Sequence, residues 1–407
     1  MKKPLRAKLI NIEGKFQGVI ERNFYGIAFC LLLFLSLFIR WQMASLAISR
    51  DYVYALMSWV EHYKEWGFID GLAQGVGAYY IPYNIILAIA AYLPWEPWVL
   101  VSFCSIICDY VAAYFIYRIA LILLEGEGGD VWRRRKAAII GLVTLFLPAV
   151  LMNGALWKQA DSIYTCFLII CLYHALREKY GTSLMWLGIA FIFKMQAIFI
   201  LPLFIALYIF RKNGLSLLYF LYIPLCYILG GLPAILAGRP AGNVYRIYFE
   251  QSVTNPQMTM KMPNLYSFNL THYEALYYPA LLGTLVIFIL FMCAIFKYKD
   301  GLNNKSIVYL GIWCIFTALM FLPAMHERFN YPVLILLTAF YLIYDIKKLW
   351  IALIINLISV LTYGAYLFDA PLDATSISMT WLAICHMAAY AYVTYDVYRG
   401  FREVKAI

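Results

Sequence analysis

Twelve apolar runs, near 24–46, 98–123, 137–153, 162–177, 183–194, 196–210, 215–236, 276–296, 305–324, 331–345, 349–368 and 379–397, follow one another along the chain. A helix that crosses a bilayer needs about 20 predominantly apolar residues. The series therefore predicts an all-α polytopic membrane protein of about twelve transmembrane helices, forming one domain over 1–407. Composition agrees: 64% of the 407 residues are hydrophobic and 13% are charged, whereas a water-facing surface calls for roughly a quarter charged. A soluble enzyme, a disordered chain and a small disulfide scaffold are excluded. The nine Cys show no metal-ligand or paired extracellular spacing and read as small core residues.

The net charge of +10 has to be read loop by loop, because cytoplasmic loops collect Lys and Arg. With a cytoplasmic N-terminus, the basic N-terminal segment, the run Arg133–Lys136, and the pairs Arg211-Lys212 and Lys347-Lys348 all fall inside. The expected location is a cell membrane, multi-pass, with both termini in the cytoplasm. Residues 1–23 and the following run imitate a signal peptide, with Ser45-Leu46-Ala47 resembling a cleavage site. The run is longer than an ordinary signal core and is read as the first helix. Segment 80–95 is apolar enough to span, but a crossing there would put Arg133–Lys136 outside. An outer juxtamembrane or re-entrant helix is expected instead, with Tyr79, Tyr80, Tyr83 and Trp95 at the interface. Lys194 interrupts the short runs at 183–210, which suggests a broken helix pair lining a cavity.

Charged side chains at helix ends cost insertion energy and need a reason. Four polar clusters share the outer side in this topology: Arg50-Asp51 at the head of outer loop 47–97, Trp157-Lys158-Gln159-Ala160-Asp161-Ser162, Phe193-Lys194-Met195-Gln196 and Met325-His326-Glu327-Arg328-Phe329. Each has a simpler reading alone: Asp51 paired with Arg50, Asp161 as a helix N-cap, Lys194 snorkelling to headgroups, and 326–328 as a solvated turn. Together they offer one carboxylate able to act as a base, a second carboxylate, and cationic or protonatable groups suited to phosphate. Such a set, facing a lipid-accessible outer cavity, fits displacement of a lipid phosphate from a sugar.

With Arg50-Asp51-Tyr52, Tyr79-Tyr80-Ile81-Pro82-Tyr83, Trp157–Tyr164, Phe193–Gln196, Pro263-Asn264-Leu265-Tyr266 and Met325–Pro332 in this order over 51–332, the chain resembles the GT-C superfamily of integral-membrane glycosyltransferases. It is most similar to bacterial relatives of the glycosylphosphatidylinositol mannosyltransferases and the N-glycan-assembly glucosyltransferases. The resemblance implies a polyprenyl-phosphate sugar donor, transfer of a hexose such as mannose or glucose with inversion, and an extracytoplasmic active site serving cell-envelope or surface glycan assembly. The acceptor would be a glycan, a lipid-linked molecule or a protein; membrane lipid is the surrounding partner, and no nucleic acid is expected. Asp51 would be the general base, Asp161 a second catalytic group positioning acceptor, base or a divalent metal, and Lys194, His326 and Arg328 the donor-phosphate ligands. Lys158, Gln159, Gln196, Glu327, Tyr83 and Tyr266 are the further substrate contacts. Relatives usually carry Gly where this chain has Lys158. The resemblance fixes no cofactor and is compatible with a divalent metal. The rivals are a lipid-linked oligosaccharide flippase, for which Asp109 and Arg118 are the relevant charges, and a polysaccharide polymerase.

Overall fold

A computed structural model describes residues 2–210, 214–368 and 377–404. It is 83% helical, and its one sheet is a pair of two-residue strands. Helix α1 (Lys2–Ser45) leads through a π-helical turn at Asp51–Leu56 into α2 (Met57–Trp66), α3 (Phe68–Gln74) and α4 (Ile81–Tyr92). Then come α5 (Pro97–Leu123), α6 (Asp130–Leu145) and α7 (Pro148–Leu151), the last continued by a π-helical segment to Trp157. A 57° bend separates α6 from α7, where Pro148 removes a backbone donor and Leu147 before it is extended.

Helices α8 (Asp161–Leu176) and α9 (Tyr180–Phe193) are followed by a 3-10 stretch, Met195–Ile200, that runs into α10 (Leu201–Phe210). The chain continues through α11 (Tyr222–Leu236), α12 (Ala241–Tyr245), α13 (Ile247–Thr254), β1 (Thr259–Met260), α14 (Tyr273–Phe296) and α15 (Asn304–Phe321). It ends with β2 (Met325–His326), α16 (Tyr331–Tyr344), α17 (Leu349–Leu367) and α18 (Ile377–Val404).

Among the described residues six helical segments are long and apolar enough to cross a membrane, and the bent α6–α7 pair makes a seventh. The remaining apolar runs form shorter helices, and several of these are wrapped by the protein. Helices α8 and α16 have 16 and 14 residues, and both are buried almost along their whole length. Their ends meet other helices, so they are not obliged to match a bilayer of about 30 Å. The outer helices behave oppositely: Phe34 on α1 and Leu282 and Leu290 on α14 are 68%, 63% and 64% exposed. Apolar surface of this kind is expected where lipid is the solvent.

Helix α4 rises about 18 Å over its 12 residues, short of a hydrocarbon core of about 30 Å. It does not lie openly along an interface, however. Tyr80, Ile81, Tyr83 and Asn84 are buried in the protein, while Tyr92 and Trp95 beyond them are exposed.

Two ends of the bundle differ in chemistry. At one, Lys136 Nζ donates to the Ile343 carbonyl at 3.0 Å, Tyr344 reaches the Leu123 carbonyl at 3.5 Å, and Lys348 Nζ meets Asp396 Oδ1 at 2.6 Å. At the other, the polar breaks at Asp51, Trp157–Asp161, Lys194 and His326–Arg328 converge. Between the ends, Arg40 Nε contacts Asp109 Oδ2 at 3.4 Å, Arg40 Nη1 donates to Ser36 Oγ at 2.6 Å, and the Tyr331 hydroxyl donates to Asp109. This buried set ties lipid-facing α1 to α5 and α16. Arg118 is elsewhere, donating to the Tyr114 and Tyr173 hydroxyls at 2.8 and 2.7 Å. Asp109 and Arg118, the two charges that a transporter would use, are each engaged with other partners.

Candidate active site

The converging breaks surround a cavity of about 320 Å3. Asp51, Gln159, Lys194, Gln196, His326 and Arg328 all line it, joined by aromatic Trp59 and Tyr79. Helix interruption is what brings these side chains there, since a continuous apolar helix would turn them toward lipid or core. Lys194 sits in extended backbone between α9 and the 3-10 stretch. His326 belongs to β2, which pairs in parallel with β1 through Met260, and the Ala324 amide donates to the Met258 carbonyl at 3.0 Å. Segment 238–275 thereby fixes the His326–Arg328 turn against the end of α15.

Asp51 is held by three neutral donors. Trp157 Nε1 and Gln159 Nε2 reach Oδ2 at 3.0 and 2.6 Å, and the Tyr366 hydroxyl donates to Oδ1. A carboxylate offers about four lone-pair sites, so one is left, and Arg328 Nη1 stands 3.9 Å from Oδ2. Tyr79 donates to Gln159 Oε1 at 3.1 Å, which fixes the amide with its NH2 toward Asp51. Tyr366 stacks on Trp157, with ring centroids 4.7 Å apart, and the Arg328 guanidinium lies 5.3 Å over the same indole. No motif in the sequence marks Tyr366; it is one aromatic among many near a helix end.

Asp161 has a different position. It is fully buried beneath the cavity and does not line it. Its carboxylate accepts from Lys194 Nζ and, at 3.2 Å, from Asn153 Nδ2, and it stands 4.0 Å from Arg328 Nε. Burial pushes the Lys194 ammonium below the usual lysine range while Asp161 pulls it back up. Burial also acts against the charge of Arg328, but Asp51 and Glu327 outweigh it and hold the guanidinium above its ordinary value. His326 is depressed by burial and then by Arg328. Its imidazole is accordingly neutral near pH 7, able to donate or accept one hydrogen bond rather than to add charge.

Four expected contacts lie away from the cavity wall. Glu327 is 1% exposed with neither carboxylate oxygen hydrogen-bonded, its Oε2 3.7 Å from His326 Nδ1. Tyr83 is buried behind Tyr79, ring centroids 4.4 Å apart. Tyr266 donates to the Phe321 carbonyl, and Asn264 Nδ2 donates to the Leu319 carbonyl at 3.2 Å, so the Pro263–Tyr266 segment clamps an outer loop onto α15.

Lys158 is the fourth. It is fully buried with Nζ near the Ala155 and Leu156 carbonyls, at 3.3 and 3.5 Å, and 5.2 Å from the centre of the Tyr52 ring. Its backbone is left-handed, φ 62°, which is why Gly suits this position. Burial pushes its pKa down to about 8. Because the folded value lies below the unfolded one near 10.5, stability is reduced below pH 8 and recovers as pH rises from about 8 to 10.5. Lys158→Met should therefore stabilise by about 1–4 kcal/mol below pH 8, as when buried charge gives way to apolar volume. The gain should vanish near pH 10.5. Melting temperatures of both proteins across that range check it, and a gain independent of pH would contradict a charged origin.

A divalent metal does not fit this set. The oxygens of Asp51 and Asp161 already accept from N–H and O–H donors, with Lys194 and Arg328 adjacent. Among the described residues no group of three or more His, Cys, Asp and Glu side chains is arranged to hold a metal ion. Neither protein-family models nor curated proteins yield a match to this chain.

Proposed function

We propose that this chain is a GT-C-type glycosyltransferase that uses a polyprenyl-phosphate sugar and transfers a hexose, with inversion, to an acceptor hydroxyl on the extracytoplasmic side. The observation that carries the proposal is a single cavity lined by the Asp51 carboxylate together with Lys194, His326 and Arg328. The donor phosphate is taken by Arg328, whose Nε has no hydrogen-bond partner, and by Lys194; neutral His326 adds one hydrogen bond. Oδ2 is occupied by Trp157 and Gln159, so the lone pair left for the acceptor is on Oδ1 beside the Tyr366 hydroxyl. Drawing the guanidinium toward phosphate loosens its 3.9 Å contact with Oδ2 and makes the carboxylate a stronger base. The acceptor oxygen attacks the anomeric carbon as its proton passes to Asp51. The bond from that carbon to the phosphate oxygen breaks, and the polyprenyl phosphate leaves with both electrons and its charge matched by Arg328 and Lys194. Asp161 acts through Lys194 as its counterion.

The twelve-crossing topology belongs to the same reading. Even short α8 and α9 connect the two chemically distinct ends, α8 from Asp161 to Arg177 and α9 from Lys179 to Lys194. An alternating path of this kind supports twelve traverses with the cavity outside and both termini in the cytoplasm. Purified protein should release polyprenyl phosphate from at least one member of a panel of polyprenyl-phosphate hexoses given sugar and glycan acceptors. If no member is bound or consumed, the proposal fails.

A further inference from the structure

At the end of the bundle opposite the cavity, a second and larger hollow of about 740 Å3 opens between α1 and the α5–α6 pair. Its walls are apolar, formed by Phe29, Leu33, Tyr110, Ala113 and Leu142 among others. Its mouth is formed by Arg134 and Arg135. Near that mouth Arg133 is paired with Asp130 at 2.8 Å. Among the described residues, Arg134 and Arg135 have no carboxylate in ion-pair range, and both are exposed. Arg135 instead lies over Tyr25 of α1, 4.2 Å from the ring centre. From Arg134 to Leu145 the helix rises about 16 Å, the depth of one leaflet of a hydrocarbon core about 30 Å thick.

The geometry points to a binding site for an anionic glycerophospholipid of the leaflet at this end, with an acyl chain in the groove and the phosphodiester headgroup on Arg134 and Arg135. An apolar slot one leaflet deep matches a chain, and unpaired guanidinium groups at headgroup level match its charge. A zwitterionic lipid satisfies the slot but not the pair of cations. The site is separate from the catalytic cavity and stands whatever reaction that cavity performs.

The test uses full-length protein in a zwitterionic detergent, titrated with phosphatidylglycerol or phosphatidylcholine carrying identical acyl chains, with bound lipid counted by native mass spectrometry. Each arginine near a membrane surface is worth about a fivefold preference for an anionic headgroup, so wild-type protein should favour phosphatidylglycerol about twenty-five-fold. R134Q/R135Q, at exposed positions, should bring the preference within about twofold. Gly26→Leu places a side chain in the groove where a new Cβ meets nothing within 4 Å, and it should reduce retention of both lipids with the arginines intact. Equal retention of the two lipids by wild-type protein overturns the proposal. So does an unchanged preference in R134Q/R135Q, or undiminished retention in Gly26→Leu, which would mean that headgroup attraction acts without a seated chain.

Discussion

Asp51→Asn should lower transfer by about a hundred- to ten-thousand-fold, the range lost when a general base is removed, while donor affinity should stay within about threefold of wild type. The substitution conserves volume but replaces one acceptor oxygen with an NH2 group. Three donors now converge on that oxygen and amide, from Trp157, Gln159 and Tyr366. The Tyr366 hydroxyl can reverse and accept from the new amide, so the local network survives and the loss is chemical. Arg328 loses its nearby charge at 3.9 Å, which leaves the guanidinium no less available to phosphate. Single-turnover transfer and donor titration, run on the same preparation, separate the two effects. Transfer within tenfold of wild type would remove Asp51 from the reaction, and a parallel collapse of donor binding would make it a binding group instead.

Six of the residues that line the cavity are ones the sequence exposes by interruption: Asp51, Gln159, Lys194, Gln196, His326 and Arg328 each break an apolar run. The legibility has a physical source. A polar side chain inside a membrane helix is costly, so polar residues gather where helices stop, and stops on one side can share a site. Pairing through space left no such trace. Asp51 and Asp161 look equivalent in the sequence, yet one faces the cavity and the other is a buried counterion. Tyr366, Arg40 and Asp109 acquire their partners from helices distant in the chain. The surroundings of a helix were hidden for a related reason: an apolar run reads the same whether its helix is exposed along its length, as α14 is, or wrapped by other helices, as α8 is.

The division of labour between the two carboxylates leads to the second large effect. Removing the Lys194 ammonium, as in Lys194→Met, should weaken donor binding and leave Asp161 buried without its cation, a loss of about 3–5 kcal/mol in stability for a broken buried pair. Lowered stability alone would make that variant hard to interpret, and Asp161→Asn is the cleaner probe. It keeps an oxygen on the side of Lys194 Nζ and puts an NH2 where Asn153 Nδ2 donated. Asn153, whose Oδ1 has no partner, can turn its amide to accept from that NH2, so positioning largely persists while the negative charge goes. In wild-type protein burial lowers the Lys194 pKa and Asp161 opposes that shift. Without Asp161, desolvation acts unopposed by it and the pKa falls further. A lysine is charged below its pKa, so donor affinity must decline as pH rises through that value. The alkaline limb of the donor-affinity profile should therefore move to lower pH in Asp161→Asn, with affinities converging on wild type at the acid end, where Lys194 is charged in both proteins. A residue needed only for folding would change the amount of active protein and leave the limb in place. An unmoved limb would deny Asp161 its role as the counterion of Lys194. A loss of transfer at every pH with donor affinity intact would return Asp161 to direct participation in the chemistry.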